Sequence, residues 1–237
     1  MKIKIISYRF YNNFDKFEKK YRFLINLILN KNINITEYRY AHHKLIDINN
    51  IEKSTNDVYA DFSAYKKGLA AINKNKSSDL VLLLNDSFFI KWPLKIIAKR
   101  MASMIDENIT SYKFPIGVGQ VEHANNFYSN KFNEFTIATH FILLNNISAN
   151  FLLTTINRYD RNKIKDPRFL LQKNISLKSN TFLKNANVSN KYFFKKEAAI
   201  YFEYSLSKYI FNKGIAISVF DSFLIKILFY IKKILLK

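Results

Sequence analysis

Asp79-Leu80-Val81-Leu82-Leu83-Leu84-Asn85-Asp86-Ser87 sets five consecutive apolar residues directly before a polar tripeptide. A strand with one wet face alternates apolar and polar residues. An unbroken run therefore predicts a strand covered on both faces, as in the middle of a parallel sheet. In open α/β sheets, ligands bind beyond the carboxyl ends of the central strands. Asn85, Asp86 and Ser87 thus stand where a site is expected.

Upstream, Lys2 to Ser7 predicts a first strand, followed by the aromatic stretch Tyr8 to Asn13. Phe14 to Asn30 predicts a helix, because Phe17, Tyr21, Leu24, Ile25 and Ile28 recur at the three-and-four spacing that lines one helical face. Asn32 to Tyr40 alternates Ile33, Ile35 and Tyr38 with polar residues and predicts a second strand. Strand, helix, strand in that order favours a right-handed βαβ unit. Ala41 to Asp57 is expected to be an irregular connection. Its adjacent His42 and His43 would point to opposite faces of an extended chain, so they are read as surface residues and not as a joint metal site. Asp61 to Asn73 predicts a helix containing Gly68. A glycine inside a helix costs about 1 kcal/mol relative to alanine, so it points to close packing or close approach of a ligand.

Downstream, Pro93 suits the first turn of a helix running to about Glu107. Tyr112 to Val121 is a further strand region, in which Gly117-x-Gly119 is expected to form a turn, since no strand-loop-helix phosphate fingerprint surrounds it. Phe135 to Asn145 carries a second apolar run, Phe141 to Leu144, just after His140. Asn157 to Asn190 is polar and basic and is read as a lid or extended surface loop. Glu197 to Asn212 predicts a helix, with Gly214 where a capping glycine would stand and Ile215 to Phe220 as a short last strand. The tail, Phe223 to Lys237, is apolar around most of its circumference but interrupted by Lys226, Lys232 and Lys233. It is shorter than the ~20 residues that span a bilayer and suits an interfacial helix.

Composition narrows the classes of partner. A chain of 237 residues that is 49% hydrophobic can bury a real core. It has no cysteine, which excludes disulfides and thiolate metal sites and fits a reducing cytoplasm. Met1 to Phe10 has no long apolar region or small-residue cleavage site, so export is not expected. The net charge of +20 would attract nucleic acid or an anionic membrane surface. Enrichment in Lys, Asn, Ile and Phe also follows from a nucleotide-biased genome. A nucleic-acid binder clusters its cations on one face among stacking aromatics. Here they are scattered and the aromatics fall in apolar runs, so nucleic acid is not the expected partner.

Mg²⁺ and Mn²⁺ take hard oxygen ligands and bridge carboxylates to phosphates, a use that Asp86 could serve. Taken alone, Asn85-Asp86-Ser87 equally suits a turn or a helix cap. A wider pattern extends from it. Asp61-Phe-Ser-Ala-Tyr-Lys66-Lys67-Gly68-Leu, followed by Leu-Leu-Leu-Asn85-Asp86-Ser87, resembles the nucleotide-sugar half of GT-A glycosyltransferases, and most closely the rhamnan-synthesis F-type branch that makes bacterial surface polysaccharides. Downstream, Glu203-Tyr-Ser-Leu206-Ser-Lys208, then Gly214 and apolar Ile215 to Val219, resembles the acceptor-side segment of the same superfamily.

The resemblance implies an α/β fold: a single GT-A-like, Rossmann-like domain over residues 1–220, with a mainly parallel central sheet flanked by helices. Residues 1–90 would form its nucleotide-sugar half and 91–220 its acceptor half, with 221–237 an amphipathic membrane-associating tail. It implies Glu203 as catalytic base, and Ser7, Tyr8, Tyr11, Asp61, Lys67, Asn85, Asp86 and Ser87 as contacts for a UDP-, GDP- or dTDP-linked sugar. His140 would lie on the acceptor side, and Asp86 would hold any divalent cation. Asn85-Asp86-Ser87 offers one carboxylate where the family's metal motif has two, and Phe10-Tyr11-Asn12 echoes the family's Pro-x-Tyr-Asn only in part. A lipid-linked glycan acceptor would account for the basic chain and the tail together, placing the protein in the cytoplasm on the anionic inner-membrane surface. The rival expectations are a basic nucleic-acid-binding protein and a transferase-like membrane scaffold without catalysis.

Overall fold

The computed structural model describes residues 2–10, 14–42, 52–55, 59, 61–73, 80–86, 94–105, 108–123, 135–160, 162 and 190–219. Strand β1 (Lys2–Arg9) is followed by helix α1 (Phe14–Leu29) and strand β2 (Asn34–His42). The five residues expected to line one face of α1, Phe17, Tyr21, Leu24, Ile25 and Ile28, are its buried residues. Strand β2 continues past its expected end, and the connection expected to be irregular contains a short strand β3 (Lys53–Thr55). Three residues with a single apolar neighbour give no periodicity to read; β3 exists through its parallel pairing with Tyr40, Ala41 and His42.

Helix α2 (Asp61–Asn73) then leads to β4 (Leu80–Asn85), which takes up the opening apolar run. Gly68 marks close packing: a Cβ there would stand 2.7 Å from the Ile6 side chain, so α2 lies tight on β1 only because the position is glycine. Helices α3 (Leu94–Met104) and α4 (Asn108–Ser111) precede β5 (Ile116–His123) and β6 (Phe135–Leu144). Gly117 and Gly119 are therefore not a turn but interior residues of β5. Added Cβ atoms would press on Ile210 and Ile137 at Gly117, and on Ile137 and the Phe141 carbonyl at Gly119.

Helix α5 (Asn146–Asn157), which periodicity alone does not announce, begins at Asn145. The Asn145 side chain accepts from the Ser148 N–H, an N-cap that satisfies one of the orphan donors of the first turn. Helix α6 (Asn190–Lys213) starts earlier than expected, and β7 (Ile215–Ser218) ends the described chain close to its expected place. Gly214 does not adopt the left-handed conformation of a capping glycine. Its role is proximity, since a Cβ would lie 1.8 Å from the Pro115 carbonyl oxygen. Of the stretch expected to be a lid, 163–189 lies outside the described residues, as does the amphipathic tail. Among the described residues, no helix is long and apolar enough to cross a membrane.

Among the described residues, the sheet has seven strands in the order β3-β2-β1-β4-β6-β5-β7. Its pairs are parallel except those made by β6, which runs antiparallel to β4 and β5. The result is an α/β architecture with a mostly parallel mixed sheet flanked by helices, compatible with a Rossmann-like fold. Strand β4 is central and its apolar run is buried on both faces, as the opening stretch predicts. Ile3, Ile5, Leu82 and Leu84 join α1, α3 and α4 in one core cluster. Ile6, Tyr8, Val81 and Leu83 join α2, α5 and α6 in the other. Alternation along β1 and β4 thus feeds two separate cores.

Candidate functional site

The chain lays β2 and β3 to one side of β1, then places β4 on the other. The order of strands reverses between β1 and β4, and crevices at such switch points are where open α/β sheets hold ligands. Tyr8 and Asn85 are register partners at this end of the sheet. Just beyond them, the Phe10 N–H donates to Asp86 Oδ2 at 2.8 Å, tying the two strand ends together through the carboxylate. Asp86 is only 4% exposed. Asn85 Nδ2 donates to Asp61 Oδ2 at 2.7 Å, which links β4 to the first turn of α2. The α2 start is fixed locally by the Tyr59 N–H donating to Ser63 Oγ at 2.8 Å.

Tyr65, one turn after Asp61 on the same face of α2, is fully buried. Its hydroxyl donates to the Thr139 carbonyl at 3.1 Å. The Thr139 hydroxyl in turn donates to Glu203 Oε2 at 3.3 Å. Burial pushes the Tyr65 hydroxyl well above its ordinary range, and the negative charges of Asp61, Glu203 and Asp86 push it the same way, with a further contribution from Tyr8. Burial keeps this phenol neutral. Tyr8, Asp61, Asn85 and Asp86 thus lie at the carboxyl ends of β1 and β4, and Tyr65 and Thr139 lead from α2 to Glu203 on α6.

The remaining expected residues fall elsewhere or outside. His140 is half-buried in β6 next to Thr139 and so borders the group. Ser7 is buried, but Ile3 and Ile5 of the same strand parity face the α1 core, so Ser7 lies on the opposite side of the sheet from Tyr8. Lys67 is exposed, two positions beyond Tyr65 and thus on the far side of α2. Tyr11 and Ser87 lie outside the described residues, and so does His43. His42 is half-buried, with its ring 5.2 Å from Phe10 in an edge contact.

Two residues of the group, Tyr65 and Thr139, were not anticipated. The spacing of Asp61 and Tyr65 on a predicted helix could have found the first. The second has no local signal, because its position depends on β6 packing against a helix more than sixty residues away. Asp61 and Asp86 offer hard oxygen atoms of the kind that suit Mg²⁺ or Mn²⁺. Among the described residues, no three His, Cys, Asp or Glu side chains are grouped to hold a metal ion. No family model matches the sequence, and no curated protein or solved structure matches it.

Proposed function

We propose that the chain is a glycosyltransferase of GT-A type, related to the rhamnan-synthesis F-type branch, that moves a sugar from a nucleotide-sugar donor to a glycan acceptor in bacterial surface polysaccharide synthesis. The observation that carries this reading is the run of hydrogen bonds beside the switch point between β1 and β4, from Asn85 to Asp61 at the start of α2 and from Tyr65 through Thr139 to Glu203. The two stretches that resemble the family are far apart in sequence, and a link between them is what joint action on one substrate requires.

In this reading the donor lies in the crevice between β1 and β4, its nucleoside against Tyr8 and Asp61 and its diphosphate near Asn85 and Asp86. A divalent cation, if one takes part, would be held by Asp86 and would neutralise the diphosphate. The acceptor oxygen attacks the anomeric carbon, the bond from that carbon to the diphosphate breaks, and the diphosphate leaves with the bonding electrons. Glu203 takes the proton of the attacking hydroxyl, and attack on the face opposite the diphosphate inverts the centre. Positioning of the two reactants and stabilisation of the leaving charge supply most of the rate. The acceptor is lipid-linked in this reading, and residues 221–237 hold the protein peripherally on the cytoplasmic face of the inner membrane.

Thermal unfolding with a panel of UDP-, GDP- and dTDP-linked sugars tests the reading. A donor at a hundred times its Kd adds about 2.7 kcal/mol to apparent stability. Protection by one such sugar and none by oligonucleotides supports it. Protection by oligonucleotides alone overturns it in favour of nucleic-acid binding.

A further inference from the structure

Strand β6 is irregular at the point where it borders the site. Gly117 to Gly119 pair with Leu144 to Ile142, but Gln120 pairs with Ala138, so Thr139, His140 and Phe141 are extra residues on the β6 side. An odd insertion reverses which face the following side chains occupy. That reversal is visible in the cores: Ile137 packs with the α2 cluster, while Phe141, an even number of residues later, packs with the α1 cluster. In an unbroken strand, Thr139 would share the face of Phe141 and could not reach α6. The bulge turns it back toward Glu203.

Glu203 is held from its backbone as well. The Ile137 N–H donates to Ser207 Oγ at 2.9 Å, and Ser207 Oγ donates to the Glu203 carbonyl at 2.7 Å. This clamp fixes where the helix lies. Thr139, 3% exposed and anchored through its own carbonyl by Tyr65, supplies a donor to the carboxylate itself.

We propose that Thr139 is a positioning residue for Glu203, presented by the β6 bulge so that its hydroxyl binds one carboxylate oxygen and favours the charged form a general base needs. The proposal rests on the reading of Glu203 as base. A hydrogen bond to the ionised form lowers the pH at which a carboxyl titrates, so losing it raises that pH. Asp61, Asp86 and Tyr8 act on Tyr65, which anchors Thr139, and His140 follows Thr139 on β6. The variants below leave all of them in place.

The test is a titration followed by NMR on protein labelled with ¹³C in its glutamate carboxyls, the Glu203 signal being assigned by its loss in Glu203→Gln. Thr139→Val should raise the Glu203 midpoint by roughly one pH unit, and Thr139→Ser, which keeps the hydroxyl, should restore it. An unchanged midpoint in Thr139→Val overturns the proposal. If that variant does not fold, Thr139→Ala gives the same comparison. With a UDP-, GDP- or dTDP-linked sugar that wild type turns over, Thr139→Val should lower kcat roughly tenfold and leave the donor KM unchanged. If wild type neither binds nor turns over any of these sugars, the transferase reading fails, while the titration still decides whether Thr139 orients Glu203.

Discussion

Two groups of carboxylates near the carboxyl ends of the strands take different donors. On the α1 face, acids meet bases. Arg9 donates through Nε and Nη2 to Glu52 Oε2 at 2.8 and 2.6 Å, and Arg39 lies 3.7 Å from the other Glu52 oxygen while pairing with Glu18. Glu18 also accepts from Arg22 at 2.7 Å, and Arg39 rests 4.8 Å above the Tyr21 ring. Along the β1–β4 crevice and on α6, the donors to Asp61, Asp86 and Glu203 include the Asn85 amide, a backbone N–H and the Thr139 hydroxyl. A carboxylate locked to a guanidinium is committed to holding structure. A hydroxyl, amide or backbone donor favours the ionised carboxylate without adding a formal charge of its own.

This contrast is open to attack by substitution. The largest effect on stability is expected on the α1 face, because Glu52→Gln strands the buried Arg9 guanidinium. It should cost about 3 to 5 kcal/mol in urea unfolding, without removing the protection given by a donor sugar. Loss of that protection in proportion to stability would show the two groups to be one unit. Asp86→Asn should do the reverse. Its amide oxygen can still accept from the Phe10 N–H, so the stability cost should stay within about 1 kcal/mol, while thermal protection by a nucleotide sugar falls away. An Asp86→Asn protein that unfolds early and still binds donor would assign Asp86 to structure.

The smallest effect concerns pH. Burial alone would raise the Glu18 carboxyl, but hydrogen bonds and charge from Arg39 and Arg22 together outweigh it and hold Glu18 below its ordinary value of 4.5. A carboxyl depressed in the folded state contributes stability above that ordinary value and loses it as pH falls through the folded value. Melting curves of wild type and Glu18→Gln should therefore differ most at neutral pH and converge as the pH drops below 4.5. The difference should be about 1 kcal/mol or less, because Glu18 is partly exposed and its pairs are screened.

What could be read from the sequence divides along similar lines. The α1 stripe, the bounds of α2 and the buried run of β4 are local patterns, and each lies where its periodicity puts it. The carboxyl end of β4 was legible for the same reason, since a strand that stops in Asn85 and Asp86 declares its own edge. Features made by distant partners were not. Gly117, Gly119 and Gly214 look like turn and cap residues, yet each is small because Ile210, Ile137 or Pro115 occupies the space a side chain would need. Helix α5 is buried against α2 and α6 and so lacks the clean polar face that marks an amphipathic helix. The bulge in β6 leaves no local trace at all. Its register is fixed by contacts to Glu203 and Ser207, 64 and 70 residues away.

The reading stands or falls on Glu203. Glu203→Gln keeps the shape of the side chain and removes the proton acceptor, so the account predicts a folded protein that retains thermal protection by the donor sugar and loses transfer to the acceptor by at least a hundredfold, on the order of general-base catalysis. A Glu203→Gln protein that transfers sugar at the wild-type rate would contradict it.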